Sequence, residues 1–198
     1  MLSLPFFFGQ PPTPKGVGLV KQTGLAITAT PLPTLESVGF GRGWLVMPML
    51  KEGENAPDFE LADQDDRMVS LSSFKGQPVV VYFYPKDDTP GCTIEACGFR
   101  DSLQEYKKAG VVVLGISADD MDAHRKFASK YSLNFPLLSD RGAKVCRQWG
   151  VWGTKNMYGK GYEGILRTTF LIGKDGKVKK IFEKVKPEGH AQEILSHL

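Results

Sequence analysis

Cys92 and Cys97 are the residues of this chain best placed to do chemistry. They lie in the run Pro85-Lys86-Asp87-Asp88-Thr89-Pro90-Gly91-Cys92-Thr93-Ile94-Glu95-Ala96-Cys97. Val79 to Tyr84 ahead of that run is β-branched or aromatic throughout, which fits a strand buried on both faces. Pro85 cannot continue a ladder and ends the strand. Thr89-Pro90 is a helix-start signal, with Thr as N-cap and Pro at the first helical position. Cys92 is then the third helical residue. First-turn amides have no intrahelical partner, and the helix dipole adds positive potential there. Both favour a thiolate over a thiol. A buried packing cysteine is the competing reading, but Pro, Thr and Gly crowd this site instead of core residues.

Cys97 lies five residues further on. On one regular helix the two cysteines are separated by roughly 7.5 Å along the axis and, at about 100° per residue, point to different sides. Cysteines with α-carbons more than about 7 Å apart cannot be bridged without backbone movement. A Cys92–Cys97 disulfide therefore requires the first turn to unwind. Alternatively Cys97 simply faces the core. A C-x-x-C dithiol is absent from the pair, which argues against thioredoxin-type disulfide exchange.

Pro85, Thr89 and Cys92 match the P-x-x-x-T-x-x-C signature of peroxiredoxins, and Thr89-Pro90-Gly91-Cys92-Thr93 with Glu95-Ala96-Cys97 resembles the bacterioferritin comigratory protein, or peroxiredoxin Q, group. The resemblance spans residues 47–198. It implies an α/β, thioredoxin-like fold with a central mixed β-sheet flanked by helices. It also implies reduction of hydrogen peroxide and organic hydroperoxides to water and alcohols. By the resemblance Cys92 is the peroxidatic cysteine, Cys97 matches the resolving position, and Arg167 matches the active-site arginine. A thioredoxin-like dithiol protein would regenerate the thiols, and the physiological role implied is antioxidant defence.

The chemistry is consistent with those roles. A thiolate attacks an O–O bond to give a sulfenic acid. Arg167 offers a permanent charge and fixed donors. The Arg167 guanidinium, the Thr89 hydroxyl and the Cys92 amide are candidates to stabilise the leaving oxygen. Pro85 is expected to shield the sulfur from water. Condensation of Cys97 with the sulfenic acid would protect Cys92 from irreversible oxidation.

The remaining residues add little chemistry. Cys146 sits in a short helical pattern, Asp140 to Trp149, and reads as core. His124, His190 and His197 have no metal-ligand spacing and are expected on solvated helix faces. No nucleotide or flavin fingerprint appears. Neither a metal nor a cofactor is expected. The net charge of +3 argues for neither nucleic acid nor membrane partners. The three cysteines do not suggest a secreted disulfide framework. No apolar run reaches the roughly 18 residues of a membrane span. A monomer or weak homodimer is expected.

The chain of 198 residues, 41% hydrophobic, suffices for one core plus an extension. Residues 1–46 hold one acidic residue, Glu36, and three basic ones, Lys15, Lys21 and Arg42, among recurrent Pro and Gly. Disorder is expected there. Three explanations compete: a start at Met47 or Met49, an organellar transit peptide, or a secretory signal. A cytoplasmic protein is expected, or one of the chloroplast or another organelle if the segment is a transit peptide.

From residue 54 the pattern predicts short strands at 58–61 and 68–71, a central strand at 79–84, and a helix from Pro90 to about Lys108 stopped by Gly110. A second strand at 111–117 and a helix at 121–131 follow. A hairpin joins 168–172 to 177–182 through Lys174-Asp175-Gly176, and a helix closes the chain at 189–198. This order is thioredoxin-like. Trp149 to Tyr162 reads as a glycine-rich loop capped by core aromatics, or as an apolar wall beside Cys92 that admits alkyl hydroperoxides. Two other functions fit less well: a protein disulfide oxidoreductase, and a redox-sensing or holdase module.

Overall fold

The structure is a computed structural model and describes residues 48–157 and 160–198. The expected extension 1–46 and Tyr158 lie outside the described residues. The chain first forms a small antiparallel pair, β1 (Glu60–Ala62) and β2 (Met68–Ser70). The turn between them is closed by the Asp63 carboxylate, which accepts from the amides of Asp65 (2.8 Å) and Arg67 (2.9 Å).

The five-stranded sheet has the order β5-β4-β3-β8-β9. Its members are β3 (Val79–Phe83), β4 (Val112–Ser117), β5 (Leu137–Ser139), β8 (Thr168–Ile172) and β9 (Val178–Glu183). Strands β3, β4 and β5 run parallel, whereas β8 and β9 run antiparallel to their neighbours. The parallel connections are helices, α1 (Pro90–Lys108) and α2 (Met121–Tyr131). A short α3 (Lys144–Gln148) follows β5, and α4 (His190–Leu195) closes the chain. This is the mixed, helix-flanked sheet that the sequence predicts.

Every residue of β3 is buried, because β3 is central and has a core on each side. Val80, Tyr82 and Tyr84 face a cluster with Cys92, Phe99 and Leu103 of α1, Phe127 of α2, and Ile194 of α4. Val79, Val81 and Phe83 face a second cluster with Phe59, Leu114, Cys146, Trp149 and Phe170. Trp149 anchors that second core, with ring centroids 5.0 Å from Phe170 and 5.4 Å from Phe83. The α1 helix ends as predicted: Gly110 takes φ +70°, and the Val111 amide reaches back to the Tyr106 carbonyl at 2.9 Å.

Two expectations need correction, and one strand was not foreseen. Trp149 to Tyr162 is not a loop: a second antiparallel pair forms from β6 (Trp152–Met157) and β7 (Lys160–Ile165). Gly153 faces Gly164 across it, so the residues that weaken strand propensity are paired with each other. β5 went unrecognised because three residues carry no period. His124 and His190 are not on solvated faces; both are buried, and only His197 is exposed. The His190 ring lies between the Thr169 hydroxyl (2.9 Å) and the Glu193 carboxylate (3.1 Å), and burial pushes its pKa down.

Trp149 is 0% exposed, yet its Nε1 has no hydrogen-bond partner among the described residues. Trp149→Ala is expected to lower unfolding free energy by about 3–5 kcal/mol in urea titrations. Trp149→Phe should lose less than half of that, because it keeps ring contacts and removes the unpaired donor. Equal losses in the two variants would show that the ring contacts are not what holds this core.

Candidate active site

Cys92 lies where the predicted helix start puts it. The Thr89 backbone is extended, Pro90 opens α1, and the first helical bond runs from the Thr93 amide to the Thr89 carbonyl at 2.8 Å. Cys92 is a free cysteine and is 1% exposed. Thr89 is the N-cap residue, as expected, but its side chain makes no capping bond; the hydroxyl donates to the Lys86 carbonyl at 3.1 Å and closes the loop instead. Pro85 follows the end of β3, half-buried.

Arg167 comes from the far side of the sequence and meets Cys92 directly. Its Nη2 lies 3.2 Å from Cys92 Sγ. The register between β3 and β8 explains the meeting. Phe83 pairs with Thr168, so the residue before β8 lies beside the chain leaving β3 toward α1. Gly91 completes the approach, since a Cβ there would sit 3.2 Å from Arg167 Nη2 and 3.4 Å from Pro187 Cγ. A side chain at Gly91 would crowd the guanidinium off the sulfur.

Glu95 is the group that sequence reasoning missed. Its carboxylate forms an ion pair with Arg167 Nη1 and is completely buried. Burial pushes the Glu95 carboxyl up to about 7, with the Arg167 charge opposing. Burial works against the Arg167 charge as well, but Glu95 and Cys92 outweigh it and raise the guanidinium pKa. One guanidinium thus faces two acidic groups. A signal for Glu95 was present, because it lies on the stripe of α1 that buries Cys92, Ala96, Phe99 and Leu103. A carboxylate on a core-facing stripe needs a partner.

Lys155 on β6 was also missed. It is half-buried; burial pushes its pKa down, Arg167 adds to that, and Cys92 opposes it. It therefore lies within electrostatic reach of both. Cys97 is a free cysteine, half-buried, on the same unbroken α1 as Cys92. Cys146 is in the opposite core, with its amide donating to the Asp140 carboxylate at 2.8 Å, and burial with Asp140 pushes its thiol well up. It is a packing residue.

The chain is similar throughout this domain to proteins of known type. The family model described as AhpC/TSA matches residues 53–181. Peroxiredoxin Bcp of Escherichia coli K12 is 53% identical over 152 residues, which cover 77% of this chain and 97% of that protein. A chloroplastic peroxiredoxin Q of Oryza sativa subsp. japonica is 46% identical over 181 residues, 90% of this chain and 81% of that protein. Among solved structures, a Xylella fastidiosa PrxQ variant superposes with TM-score 0.72 at 34% identity, covering 76% of this chain and 96% of that one. The bacterioferritin comigratory protein of Xanthomonas campestris, solved in relation to alkyl peroxide reduction, superposes with TM-score 0.67 at 41% identity, covering 70% and 88%. A thiol held under a guanidinium on a thioredoxin-like sheet, and half of the residues shared along nearly the whole length of such relatives, lead to one conclusion: this chain belongs to the AhpC/TSA family, as a thiol peroxidase of its Bcp/peroxiredoxin Q group.

Proposed function

We propose that Cys92 is the peroxidatic cysteine, that Cys97 resolves it, and that Arg167 with Glu95 forms the charged frame of the reaction. The observation that carries this reading is the 3.2 Å contact between Arg167 Nη2 and Cys92 Sγ at the start of α1. The Cys92 thiolate attacks the outer oxygen of a hydroperoxide. A sulfur lone pair forms the S–O bond as the O–O bond breaks, and the O–O bonding pair leaves on the second oxygen. That oxygen takes a proton and departs as water or an alcohol, leaving Cys92 as a sulfenic acid. Arg167 holds the thiolate beforehand and faces the charge that builds on the leaving oxygen. Thr89 remains a candidate donor once its hydroxyl turns from Lys86 to substrate, and Pro85 a candidate shield for the sulfur.

The Cys97 thiol then attacks the Cys92 sulfenic acid; a disulfide forms and water leaves. The unbroken helix through both cysteines supports the need for the first turns of α1 to open before that bond can form. Two electrons from a thioredoxin-type dithiol protein restore both thiols. The substrate is a hydroperoxide, and we infer a monomer or weak homodimer that engages neither nucleic acid nor membrane. Among the described residues no helix is long and apolar enough to cross a membrane. We place the catalytic domain at residues 47–198. The compartment is the cytoplasm, or the chloroplast if residues 1–46 act as a transit peptide. The rice alignment of 181 residues is longer than that domain, which favours the second case.

Intact-mass and peptide-mass analysis after one equivalent of hydrogen peroxide tests the cysteine assignments. Loss of two hydrogens mapped to a Cys92–Cys97 link, absent in Cys92→Ser, is expected. A stable sulfenic acid on Cys92 beside a free Cys97 thiol would remove the resolving role.

Arg167→Met is expected to lower the second-order rate with hydrogen peroxide by roughly 10²–10³-fold, the usual loss when one donor to a developing oxyanion is removed. A change of less than tenfold in stopped-flow measurements would take Arg167 out of the reaction.

Glu95 makes stability depend on pH. Its ordinary pKa of 4.5 is raised to about 7 in the fold. Between these values the unfolded chain has released the proton that the folded chain still holds. The wild type therefore loses stability as pH rises through this window, and the loss is constant above it. The stability of Glu95→Gln relative to wild type should accordingly increase from pH 4.5 to 7. A pH-independent difference in urea unfolding would contradict the assignment.

A further inference from the structure

The loop between β3 and α1 is tied to α2 by two acidic residues that take no part in the reaction. Asp87 is buried. One carboxylate oxygen accepts from the Tyr84 hydroxyl at 2.8 Å, and the other lies 2.7 Å from His124 Nδ1. An acceptor at that distance assigns the ring proton to Nδ1. The Asp87 amide donates to Asp119 Oδ2 at 2.8 Å, and Asp119 in turn accepts from the Ser117 hydroxyl at the end of β4 at 2.8 Å. Asp88 adds an exposed tie. Its backbone is left-handed, at φ +54°, and its carboxylate accepts from Lys130 Nζ at 2.7 Å and from the Tyr131 hydroxyl at 2.6 Å.

A third tie lies beyond the cysteines. Arg100 Nη1 donates to the Tyr131 carbonyl at 2.7 Å, at the C-terminal end of α2. Helix α2 thus holds the chain just before Thr89 and just after Phe99. The segment between carries Cys92 and Cys97, and it is the segment that must rearrange for the two sulfurs to meet. His124 is 0% exposed, and its Nε2 has no hydrogen-bond partner among the described residues. A buried polar atom left unpaired is costly. The ring is retained there with one bond to Asp87, plus a longer contact to the Tyr84 hydroxyl at 3.5 Å.

We propose that Asp87 and His124 are positioning residues that hold the β3–α1 loop on α2 and thereby set how readily the first turns of α1 open. The inference rests on the reading of Cys92 and Cys97 as peroxidatic and resolving. With the clamp closed, α1 is intact and Cys92 stays under Arg167, ready for peroxide. With the clamp released, the segment opens and Cys97 can reach the sulfenic acid. The clamp therefore trades the speed of the first step against that of the second. It also sets how long the sulfenic acid is exposed to a second peroxide, which would take it to sulfinic acid.

The test uses the full-length protein and follows three quantities: the peroxide step, the disulfide step, and the sulfinic acid formed per turnover under excess hydrogen peroxide. Stopped-flow fluorescence gives the rates and mass analysis the products. In His124→Ala the disulfide step should speed up roughly fivefold, about what loss of one net hydrogen bond releases. The sulfinic fraction should fall and the peroxide step should slow or stay unchanged. His124→Asn, whose amide can donate to Asp87 in place of Nδ1, should return all three toward wild type. Asp88→Ala, on the exposed tie, should shift the same way by about twofold and keeps the proposal testable if His124→Ala does not fold. A general structural defect would instead slow both steps together and would not be relieved by His124→Asn; that result overturns the proposal. Wild type forming the Cys92–Cys97 link while Asp88→Ala and His124→Ala leave the disulfide step unchanged also overturns it alone. Wild type forming no such link overturns the cysteine assignments themselves, and the proposal with them.

Discussion

The antiparallel register between β3 and β8 is the constraint on which the site depends. Pairing Phe83 with Thr168 brings the end of one strand beside the start of the other, and so brings Arg167 to the first turn of α1. A slip of one residue would turn β8 inside out. Phe170 would leave the core it shares with Trp149, and the guanidinium would move by a strand repeat, about 3.3 Å. Core packing and catalytic geometry are therefore enforced by the same ladder. The buried ion pair with Glu95 then fixes the guanidinium orientation, which the ladder alone does not determine.

The two helices beside this ladder have different tasks. α1 carries Cys92 in its first turn and is held further along by Phe99, stacked on Tyr82 of the sheet, and by Tyr106, whose hydroxyl donates to the Ala191 carbonyl of α4 at 2.6 Å. Its first two turns present Pro90 and Ile94 to solvent while burying Cys92, Glu95 and Ala96. α2 contributes no reacting group. It supplies fixed partners to both flanks of those turns, through His124, Lys130 and Tyr131.

Much of this was legible in the residues. The buried run at β3, the Thr89-Pro90 helix start, the Gly110 stop and the Asp175-Gly176 turn each follow from local sterics, so they survive folding unchanged. Cys92 could be placed on a helix turn without any tertiary information. Arg167 could be identified by its position before a strand and by the family motif, but its distance to the sulfur could not. What stayed hidden depends on contacts between distant segments. Glu95 stands on a core-facing stripe that calls for a partner, but only the fold identifies that partner as Arg167, 72 residues later. His124 reads as a polar residue on a helix whose other side is charged; only the Asp87 loop folding over it makes burial possible. The β6–β7 ribbon is masked by its own glycines, whose pairing with one another no local rule reveals.

The sheet also separates the thiols chemically. Cys92 belongs to the cluster on one face of β3 and Cys146 to the cluster on the other, with a strand buried on both sides between them. Cys97 shares α1 with Cys92. Thiol–disulfide exchange needs sulfur to reach sulfur in line, and a continuous layer of hydrogen-bonded backbone blocks that path for Cys146. Of the three pairings that three cysteines allow, the folded chain leaves only one within reach of a local rearrangement. The strand beneath Cys92 thus also works as an insulator: while the sheet is intact, no disulfide within the chain can join Cys146 to either other sulfur.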